Sequence, residues 1–240
     1  MSQGSVVKEE VARFGALAAR WWDPHGPMRP LHMMNPPRTA WVAARVRRHL
    51  GDGVAILDVG CGAGLLAEAL AREGFAVTGL DAGAEVIAVA RAHAEGQTEA
   101  GRGLNLTYRE GTAEALAAEG AKFPVVTALE IIEHVADPAA FLASLRALLA
   151  PGGLLFLSTL NRTPKSYAVA KIGAEYIMRL LPVGTHEWKK FITPVELGAL
   201  CRAAGLRLAD TAGLSYAPLL GGFKVSRDLS VNYIAMAIAD

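Results

Sequence analysis

The sequence has few of the residues that mark secreted or metal-bound proteins. Its 240 residues include 2 cysteines, Cys61 and Cys201, which share no CxxC or Cys/His spacing. We therefore expect neither a disulfide framework nor a zinc site. Residues 1–10 lack the apolar core of a secretory signal, and no run reaches the roughly 18 apolar residues that a membrane-spanning helix needs. These absences predict a soluble, intracellular protein.

A strong charge of either sign is also missing. The 24 Lys and Arg residues nearly balance the 23 Asp and Glu residues, which gives a formal net charge of +1. Because proteins that bind nucleic acids usually carry a basic surface, we expect no nucleic-acid partner. Hydrophobic residues are abundant instead, at 52% of the chain. This composition is sufficient for one domain with a large core.

One stretch combines a buried strand, a glycine loop and the start of an apolar helix. Asp58 lies near the end of the strand, and Gly60, Gly62 and Gly64 occupy alternate positions of the loop. Glycine allows a sharp turn and the close approach of a ligand, and such a unit is typical of nucleotide pockets in parallel sheets. The dinucleotide fingerprint requires glycine at the sixth loop position, where this chain has Leu65.

The charge of the loop indicates which ligand suits it. Asp58 would repel a pyrophosphate, whereas a cationic ligand with a ribose and an amino-acid part fits better. S-adenosylmethionine is such a ligand, and the stretch resembles motif I of the class I S-adenosylmethionine-dependent methyltransferases; the alternative is a glycine turn in an ordinary α/β domain. Asp81 follows at the end of the next predicted strand. Its carboxylate can accept hydrogen bonds from ribose hydroxyls or cap the next helix.

Strand and helix patterns alternate along most of the chain. The strands are predicted at 54–59, 75–80, 104–109, 124–129, 154–160, 206–212 and 231–239. The helices are predicted at 6–20, 39–50, 64–73, 84–94, 114–119, 139–149 and 193–204. This alternation predicts a Rossmann-like α/β fold, with a mostly parallel seven-stranded sheet and helices on both faces.

The segments outside this alternation predict a loop, an N-terminal lid and an insertion. The prolines between residues 24 and 37 predict an irregular, aromatic loop that resembles a lid or a pocket wall. We expect a single domain over 1–240, with an N-terminal helical lid segment at 1–53 and an insertion after the fifth strand at 161–192.

Two further polar groups follow predicted strands. Thr112, Ala113 and Glu114 follow the third strand, where an adenine edge would lie, although Glu114 can equally be a first-turn acid favoured by the helix dipole. Glu130-Ile131-Ile132-Glu133-His134 follows the fourth strand. If this segment coils, its two acids and its histidine share one face and could bind a divalent cation or supply a general base. The alternative is a polar turn in which His134 caps its neighbours.

The motifs taken together resemble the ubiquinone-biosynthesis O-methyltransferases. The motifs shared with this family include Trp21-Trp22-Asp23, Pro30-Leu31-His32, Asn35-Pro36, Arg38, Glu133-His134-Val135, Pro151-Gly152-Gly153, Ser158-Thr159-Leu160-Asn161-Arg162, Gly173-Ala174-Glu175-Tyr176, the run 184–192 and Val231-Asn232-Tyr233. The resemblance covers nearly the whole chain. It implies methylation of catechol-type hydroxyls of polyprenylated intermediates, from 3-demethylubiquinol to ubiquinol and from polyprenyl-6-hydroxyphenol to polyprenyl-6-methoxyphenol.

The resemblance also implies the residues of the site. It places Arg38, Gly60, Asp81 and Leu129 at S-adenosylmethionine-binding positions, and the strand-end pattern adds Asp58, Gly62, Gly64, Thr112 and Ala113. For catalysis two alternatives stay open. In one, Glu130, Glu133 and His134 hold Mg²⁺ that binds the catecholate; in the other, His134 or His186 acts as a base unaided. The chain departs from the family at Pro124, where an Asp usually opens the fourth strand, and at Leu129, where Met is frequent.

The implied substrate suggests where the protein works. Residues 165–185 combine apolar and basic side chains, which favours a segment lying in a membrane interface, with a helix packed on the sheet as the alternative. We expect a cytoplasmic protein, or a mitochondrial matrix protein in a eukaryote, that contacts the inner membrane peripherally and joins other ubiquinone-biosynthesis enzymes. The rival functions are a Rossmann oxidoreductase, a nucleic-acid base methyltransferase suggested by Asn35-Pro36-Pro37-Arg38, and a non-catalytic binding module.

Overall fold

The computed structural model describes residues 5–99, 103–169, 188–218 and 221–240, with only the backbone described at 98 and 99. The helices are α1 (Lys8–Gly15), α2 (Arg29–Leu50), α3 (Leu65–Arg72), α4 (Ala84–Glu99), α5 (Ala113–Ala118), α6 (Pro138–Leu148), α7 (Pro164–Ser166) and α8 (Pro194–Ala203). The strands are β1 (Ala55–Val59), β2 (Ala76–Asp81), β3 (Leu106–Glu110), β4 (Phe123–Leu129), β5 (Leu149–Leu160), β6 (Leu206–Ala217), β7 (Gly222–Ser226) and β8 (Asn232–Ala239).

The described strands form one sheet in the order β3-β2-β1-β4-β5-β8-β6-β7. The first five are parallel to one another, whereas β8 is antiparallel to β5 and to β6. The chain moves outward in opposite directions from β1 and from β4, so the strand order reverses between these two strands. In open α/β sheets this reversal opens a crevice at the carboxyl ends of the strands, where ligands bind.

The two faces of the sheet bury separate apolar clusters. Along β1, Leu57 and Val59 belong to the cluster packed by α5, α6 and α8, and Ile56 belongs to the cluster packed by α2 and α3. This division follows from the strand geometry, because successive side chains point to opposite faces. The predicted α/β fold with helices on both faces is therefore confirmed.

The prediction of an irregular loop up to residue 37 is wrong, because α2 already begins at Arg29. Pro30 lies in the first turn, where a proline is tolerated, but Pro36 and Pro37 lie inside the helix and remove two of its hydrogen bonds. The carbonyl freed by Pro37, that of Met33, faces Gly222, where an added Cβ would lie 3.5 Å from it. Burial of the α2 side chains outweighs the proline penalty; the buried apolar ones are Met34, Trp41, Val42, Ala43 and Val46.

Among the described residues, the sheet has eight strands rather than the predicted seven. The additional strand, β7, pairs antiparallel with β6 through residues 213–217. Strand β4 tolerates a proline near its start. Pro124 is the second residue of β4, and the pairing of β4 with β5 shifts register between Phe123 and Val125. Such an irregularity accommodates a proline, which cannot donate to the ladder. No helix among the described residues is long and apolar enough to cross a membrane.

Candidate active site

A cavity of about 170 Å³ opens at the carboxyl ends of β1 and β4. This volume is more than ten times what one water needs on the same measure, so the cavity is large enough for an organic ligand. Its walls come from the glycine loop after β1, from the ends of β2 and β4, and from the N-terminal helix α1. The lining includes most of the predicted site: Arg38, Asp58, Gly60, Gly62, Asp81, Thr112, Ala113, Leu129, Glu130 and His134.

The glycine loop is held in a conformation that favours glycine. The φ angles are 69° at Gly60, 54° at Gly62 and 93° at Gly64, all in the left-handed region. An added Cβ would collide with a side chain at each position: Ile131 at Gly60, Trp21 at Gly62 and Tyr108 at Gly64. The sequence attributes these glycines to the approach of a ligand. The structure adds a second reason, because the protein's own aromatic and aliphatic side chains already occupy the space.

Asp58 presents one unpaired carboxylate oxygen in this cavity. Its Oδ1 accepts a hydrogen bond from the Thr127 hydroxyl at 2.6 Å, whereas the buried Oδ2 has no hydrogen-bond partner. Burial raises the pKa of Asp58 to about 6, although the Thr127 hydroxyl and the Arg38 charge oppose the shift. An unpaired buried acceptor is costly. A ligand that brings a donor or a positive charge would relieve this cost.

Asp81 fixes the glycine loop to the next helix. Its Oδ2 accepts from the Gly62 N–H at 2.9 Å and its Oδ1 from the Gly83 N–H at 2.8 Å. Burial raises the pKa of Asp81, and the backbone N–H groups oppose this shift. These bonds hold the turn before α4, which begins at Ala84, and the helix-cap role stays a prediction. Each carboxylate oxygen retains further acceptor capacity for a ligand, so the ribose role is compatible with these bonds.

Arg38 reaches the same cavity from α2 and is 5% exposed. Its Nε donates to the Asn35 side chain at 3.1 Å. Burial lowers the pKa of Arg38, while the charges of Glu130 and Asp58 raise it. Since a guanidinium has five donors in a fixed fork, Arg38 places a positive charge at this end of the cavity that is suited to an anionic group on a ligand.

The segment after β3 contributes a helix cap and an anchor for the N-terminus. The Thr112 hydroxyl accepts from the Ala115 N–H at 3.2 Å and caps α5. Glu114 accepts from both the backbone N–H and the hydroxyl of Ser5, and the Ser5 carbonyl accepts from the Ala136 N–H at 2.9 Å. Glu114 thus holds the N-terminal segment over the cavity. Neither of the two sequence interpretations of this acid anticipated that role.

The adjacent tryptophans also pack on the glycine loop. Trp21 is buried and lines the cavity beside Gly62. The Trp22 indole N–H donates to the Ala63 carbonyl at 3.0 Å, and its ring stacks on His93 with centroids 3.5 Å apart. The aromatic segment before α2 is therefore a wall of the cavity, as the sequence predicts.

Glu130 has an unusual backbone conformation and strong partners. Its φ is 58°, and it is the one described non-glycine residue with a positive φ. The carboxylate accepts from the Ser158 hydroxyl at 2.6 Å and from Asn232 Nδ2 at 3.1 Å to each oxygen. Strain of this kind often marks functional sites, and the network fixes the side chain at the junction of β4, β5 and β8.

Glu133 and His134 lie in the 3₁₀ turn Ile132–His134 after β4. Glu133 is 5% exposed, and burial together with the charge of Glu130 raises its pKa. The Nδ1 atom of His134 lies 3.1 Å from Glu10 Oε2 of α1. In the described parts of the chain, no three His, Cys, Asp or Glu side chains are grouped to hold a metal ion. The donors as placed do not fit a cation, and the predicted Mg²⁺ set stays a prediction.

Comparison with known proteins places the chain among methyltransferases. Residues 35–211 match the family model described as a methyltransferase domain. The chain is 50% identical to the ubiquinone biosynthesis O-methyltransferase of Cereibacter sphaeroides (strain ATCC 17029 / ATH 2.4.9), over 99% of this chain and 98% of that protein. It is also 50% identical to the enzyme of the same name from Azotobacter vinelandii, over 96% of both chains.

The chain belongs to the ubiquinone biosynthesis O-methyltransferase family. Like other members of this family, it is an S-adenosylmethionine-dependent O-methyltransferase. Among solved structures it is similar to magnesium protoporphyrin IX methyltransferase from Synechocystis PCC 6803 with bound S-adenosylhomocysteine. That match has a TM-score of 0.69 at 19% identity and covers 97% of this chain and 99% of that one. At this identity the likeness supports the fold alone.

Some residues predicted for this O-methyltransferase lie outside the described residues. His186 is one of them, and so is most of the segment 165–185 that we expected at a membrane. Of the described part of that segment, Lys165 lies 2.6 Å from Asp228 in an ion pair, and Tyr167 and Val169 are exposed.

Sequence reasoning on this O-methyltransferase missed the contribution of α1 to the site. Val7, Glu10, Val11 and Phe14 line the cavity. Glu10 and Val11 lie four and three residues before Phe14, which places these three on one helix face, and Val7 is the N-cap residue of α1. The helical stripe was visible in the sequence, but nothing local indicated what it packs against. Ser158 and Asn232 belong to motifs shared with the family, but the sequence does not indicate that they hold Glu130.

Proposed function

We propose that this chain methylates a catechol-type hydroxyl on polyprenylated intermediates of ubiquinone biosynthesis. The observation that carries the proposal is the 50% identity to a ubiquinone biosynthesis O-methyltransferase over nearly the whole of both chains. The proposed conversions are 3-demethylubiquinol to ubiquinol and polyprenyl-6-hydroxyphenol to polyprenyl-6-methoxyphenol.

The cavity residues are proposed to hold S-adenosylmethionine by complementary charge. When bound, this cofactor supplies a methyl group on a positively charged sulfur. Asp81 accepts hydrogen bonds from the ribose hydroxyls, and the unpaired Oδ2 of Asp58 accepts a donor from the amino-acid part. Arg38 binds the carboxylate of the cofactor, and Leu129, which is 8% exposed, packs against the adenine.

The acceptor hydroxyl must lose its proton as it is methylated. A phenol with a pKa near ~10 is a poor nucleophile at neutral pH, so a neighbouring group has to take the proton. We assign this role to His134, because its side chain lines the cavity and its Nδ1 faces Glu10 at 3.1 Å. The cavity walls that hold S-adenosylmethionine and the acceptor also keep the acceptor oxygen near the methyl group. This proximity lowers the free-energy barrier to methyl transfer.

A divalent cation is the second candidate for activating the acceptor. The resemblance implies that Glu130, Glu133 and His134 hold it, and Mg²⁺ suits oxygen ligands and a catechol. The described geometry gives this arrangement no support, because Glu130 is held by Ser158 and Asn232. We therefore derive no step through a metal.

A polyprenylated substrate also requires access to a membrane. We propose that residues 165–185 contact the inner membrane peripherally. Binding to anionic liposomes tests it, with Lys171→Glu and Arg179→Glu expected to weaken binding. The variant Lys165→Glu is expected to have a smaller effect, because this lysine is already paired with Asp228. Equal binding by all variants contradicts membrane contact through this segment.

The proposed function is separated from its rivals by two assays. Stabilisation against heat by S-adenosylmethionine but not by NAD excludes the oxidoreductase. Methyl transfer to a short-chain catechol, without transfer to RNA or DNA, excludes the nucleic-acid enzyme and the non-catalytic binding module. Stabilisation by NAD, or transfer to nucleic acid alone, contradicts the proposal.

A further inference from the structure

The cavity-facing side of α1 carries one acid among apolar residues. Val11 and Phe14 share this helix face with Glu10. Val7 precedes the helix as its N-cap residue, and all four line the cavity. The carboxylate is 19% exposed. Because acids are seldom buried unless they are paired, the partners of Glu10 indicate what it does at this position.

In the cavity wall, Glu10 contacts His134. Glu10 Oε2 lies 3.1 Å from His134 Nδ1, and the histidine side chain is 16% exposed. The same oxygen accepts from Arg13 Nη2 at 2.5 Å. One turn along α1, the Phe14 ring meets the imidazole edge to face, with centroids 5.5 Å apart. The helix thus contacts the ring of His134 through both a charge and an aromatic side chain.

A carboxylate at Nδ1 determines which imidazole nitrogen carries the proton. When Nδ1–H donates to Glu10, the neutral ring keeps its lone pair on Nε2. The contact also limits rotation of the ring, as carboxylates do for histidines in catalytic triads and beside metal ions. Arg13 keeps the Glu10 carboxylate in place through a second charge-assisted bond.

We propose that Glu10 is a positioning residue that fixes the tautomer and orientation of His134. The inference rests on the proposed function, in which His134 lies at the acceptor. The proton of the acceptor hydroxyl moves to Nε2 as its oxygen forms the new bond to the methyl carbon, and the carbon–sulfur bond breaks with its electron pair going to sulfur. The proton then leaves Nε2 for water, and the Nδ1–H group keeps its hydrogen bond to Glu10.

The N-terminal segment that carries Glu10 is held beside the cavity by Ser5. The Ser5 N–H donates to Glu114, and the Ser5 carbonyl accepts from the Ala136 N–H. These bonds help to keep α1 in the position from which Glu10 contacts His134.

The test compares Glu10→Ala, Glu10→Gln and Glu10→Asp with Glu9→Gln, a matched control on the exposed face of α1. Nitrogen NMR of ¹⁵N-histidine-labelled protein, with His134 assigned by His134→Gln, reports the tautomer without turnover. We expect the Nδ1–H tautomer in the wild type and in Glu9→Gln, and the Nε2–H tautomer in Glu10→Ala. Steady-state kinetics should show kcat falling about tenfold or more in Glu10→Ala, with S-adenosylmethionine binding within about twofold and partial recovery in Glu10→Asp.

Two results overturn the inference. One is an unchanged His134 tautomer in Glu10→Ala; the other is a wild-type kcat in that variant. Glu10→Gln is isosteric and keeps the packing of α1. If activity is lost only in Glu10→Ala and the tautomer does not change, the loss comes from a packing defect. That result also counts against the inference. If the wild type transfers no methyl group to a catechol, the proposed function fails, and the NMR comparison still decides the role of Glu10.

Discussion

Asn232 Nδ2 lies 3.1 Å from each carboxylate oxygen of Glu130. This contact joins the first residue of β8 to the residue that follows β4, and it holds Glu130 in its left-handed conformation beside the cavity. A carboxylate that accepts two such bonds has its orientation fixed. The two residues are distant in sequence, so the contact links the C-terminal strand to the site.

Replacing this amide by an acid should damage both stability and activity. In Asn232→Asp a second carboxylate would face Glu130, and two acids at this distance cannot both ionise. We expect unfolding in denaturant to show a loss of about 1–3 kcal/mol. Asn105→Asp, at an exposed position, should stay within about 0.5 kcal/mol of the wild type. Equal stability of the two variants would show that the contact contributes nothing.

The second prediction concerns Asp81. Asp81→Asn keeps the side-chain shape but replaces one acceptor oxygen by a donor, which opposes the N–H of Gly62 or Gly83. Because hydrogen bonds to a charged group contribute about 1.5–3 kcal/mol, the Kd for S-adenosylmethionine should rise about 10- to 100-fold. Calorimetry measures it, with Asp52→Asn at an exposed site as the control. An unchanged Kd for Asp81→Asn would remove this residue from the binding site.

The third prediction uses the glycine loop. In Gly62→Ala the new Cβ meets the Trp21 ring at a φ of 54°, so the loop or the tryptophan must move and cofactor binding should be lost. Gly96→Ala is the control, because nothing lies within 4 Å of a Cβ there, and alanine should stabilise the helix by up to about 1 kcal/mol. Thermal shift with and without S-adenosylmethionine distinguishes the two variants. Normal binding by Gly62→Ala contradicts the described packing.

The fourth prediction is a pH dependence of stability that arises from Asp58. Burial raises its pKa to about 6 in the folded protein, above the ~3.9 of an exposed Asp. The folded state therefore binds this proton more tightly than the unfolded state does. The resulting contribution to the free energy of unfolding is present at low pH and is lost as the pH rises from about 4 to about 6. The slope is up to about 1.4 kcal/mol per pH unit. Asp58→Asn should be less pH-dependent and relatively more stable above pH 6. Parallel curves for both proteins would contradict the assignment.

A chelator distinguishes activation of the acceptor hydroxyl by a histidine base from activation by a divalent cation. The geometry of the described residues favours turnover that persists in excess EDTA, because no three suitable side chains are grouped there. The predicted Mg²⁺ set instead requires that EDTA abolish turnover and that Mg²⁺ restore it. Full turnover in the chelator contradicts the cation hypothesis, and loss with recovery contradicts a histidine acting unaided.

The parts of the fold that depend on local pattern could be predicted from the sequence. The alternating glycines from Gly60 to Gly64 predict a tight turn. The apolar run before Asp81 predicts the strand that ends there. The parts that depend on tertiary contacts could not. Pro36 and Pro37 favour a loop by every local rule, yet the buried face of α2 keeps the helix intact. The strand β7 has too few apolar residues to be recognised before its pairing with β6 is known.

The same distinction applies to the site. Asp58, Asp81 and Leu129 lie at strand ends, where the α/β pattern alone indicates a ligand crevice. Glu10 reaches His134 from another part of the chain, so no spacing in the sequence could reveal the contact. The family motifs include Glu133-His134-Val135 but nothing around Glu10, so the resemblance did not indicate that these two side chains meet.

The proposed methyl transfer is tested most directly by an assay with methyl-labelled S-adenosylmethionine on polyprenyl catechol and demethylubiquinol analogues, with mass spectrometry of the product. We expect one labelled methyl group on a ring hydroxyl oxygen, with transfer reduced in His134→Gln while S-adenosylmethionine still binds. Transfer to neither analogue by protein that binds the cofactor, or label on carbon or nitrogen instead of oxygen, would contradict it.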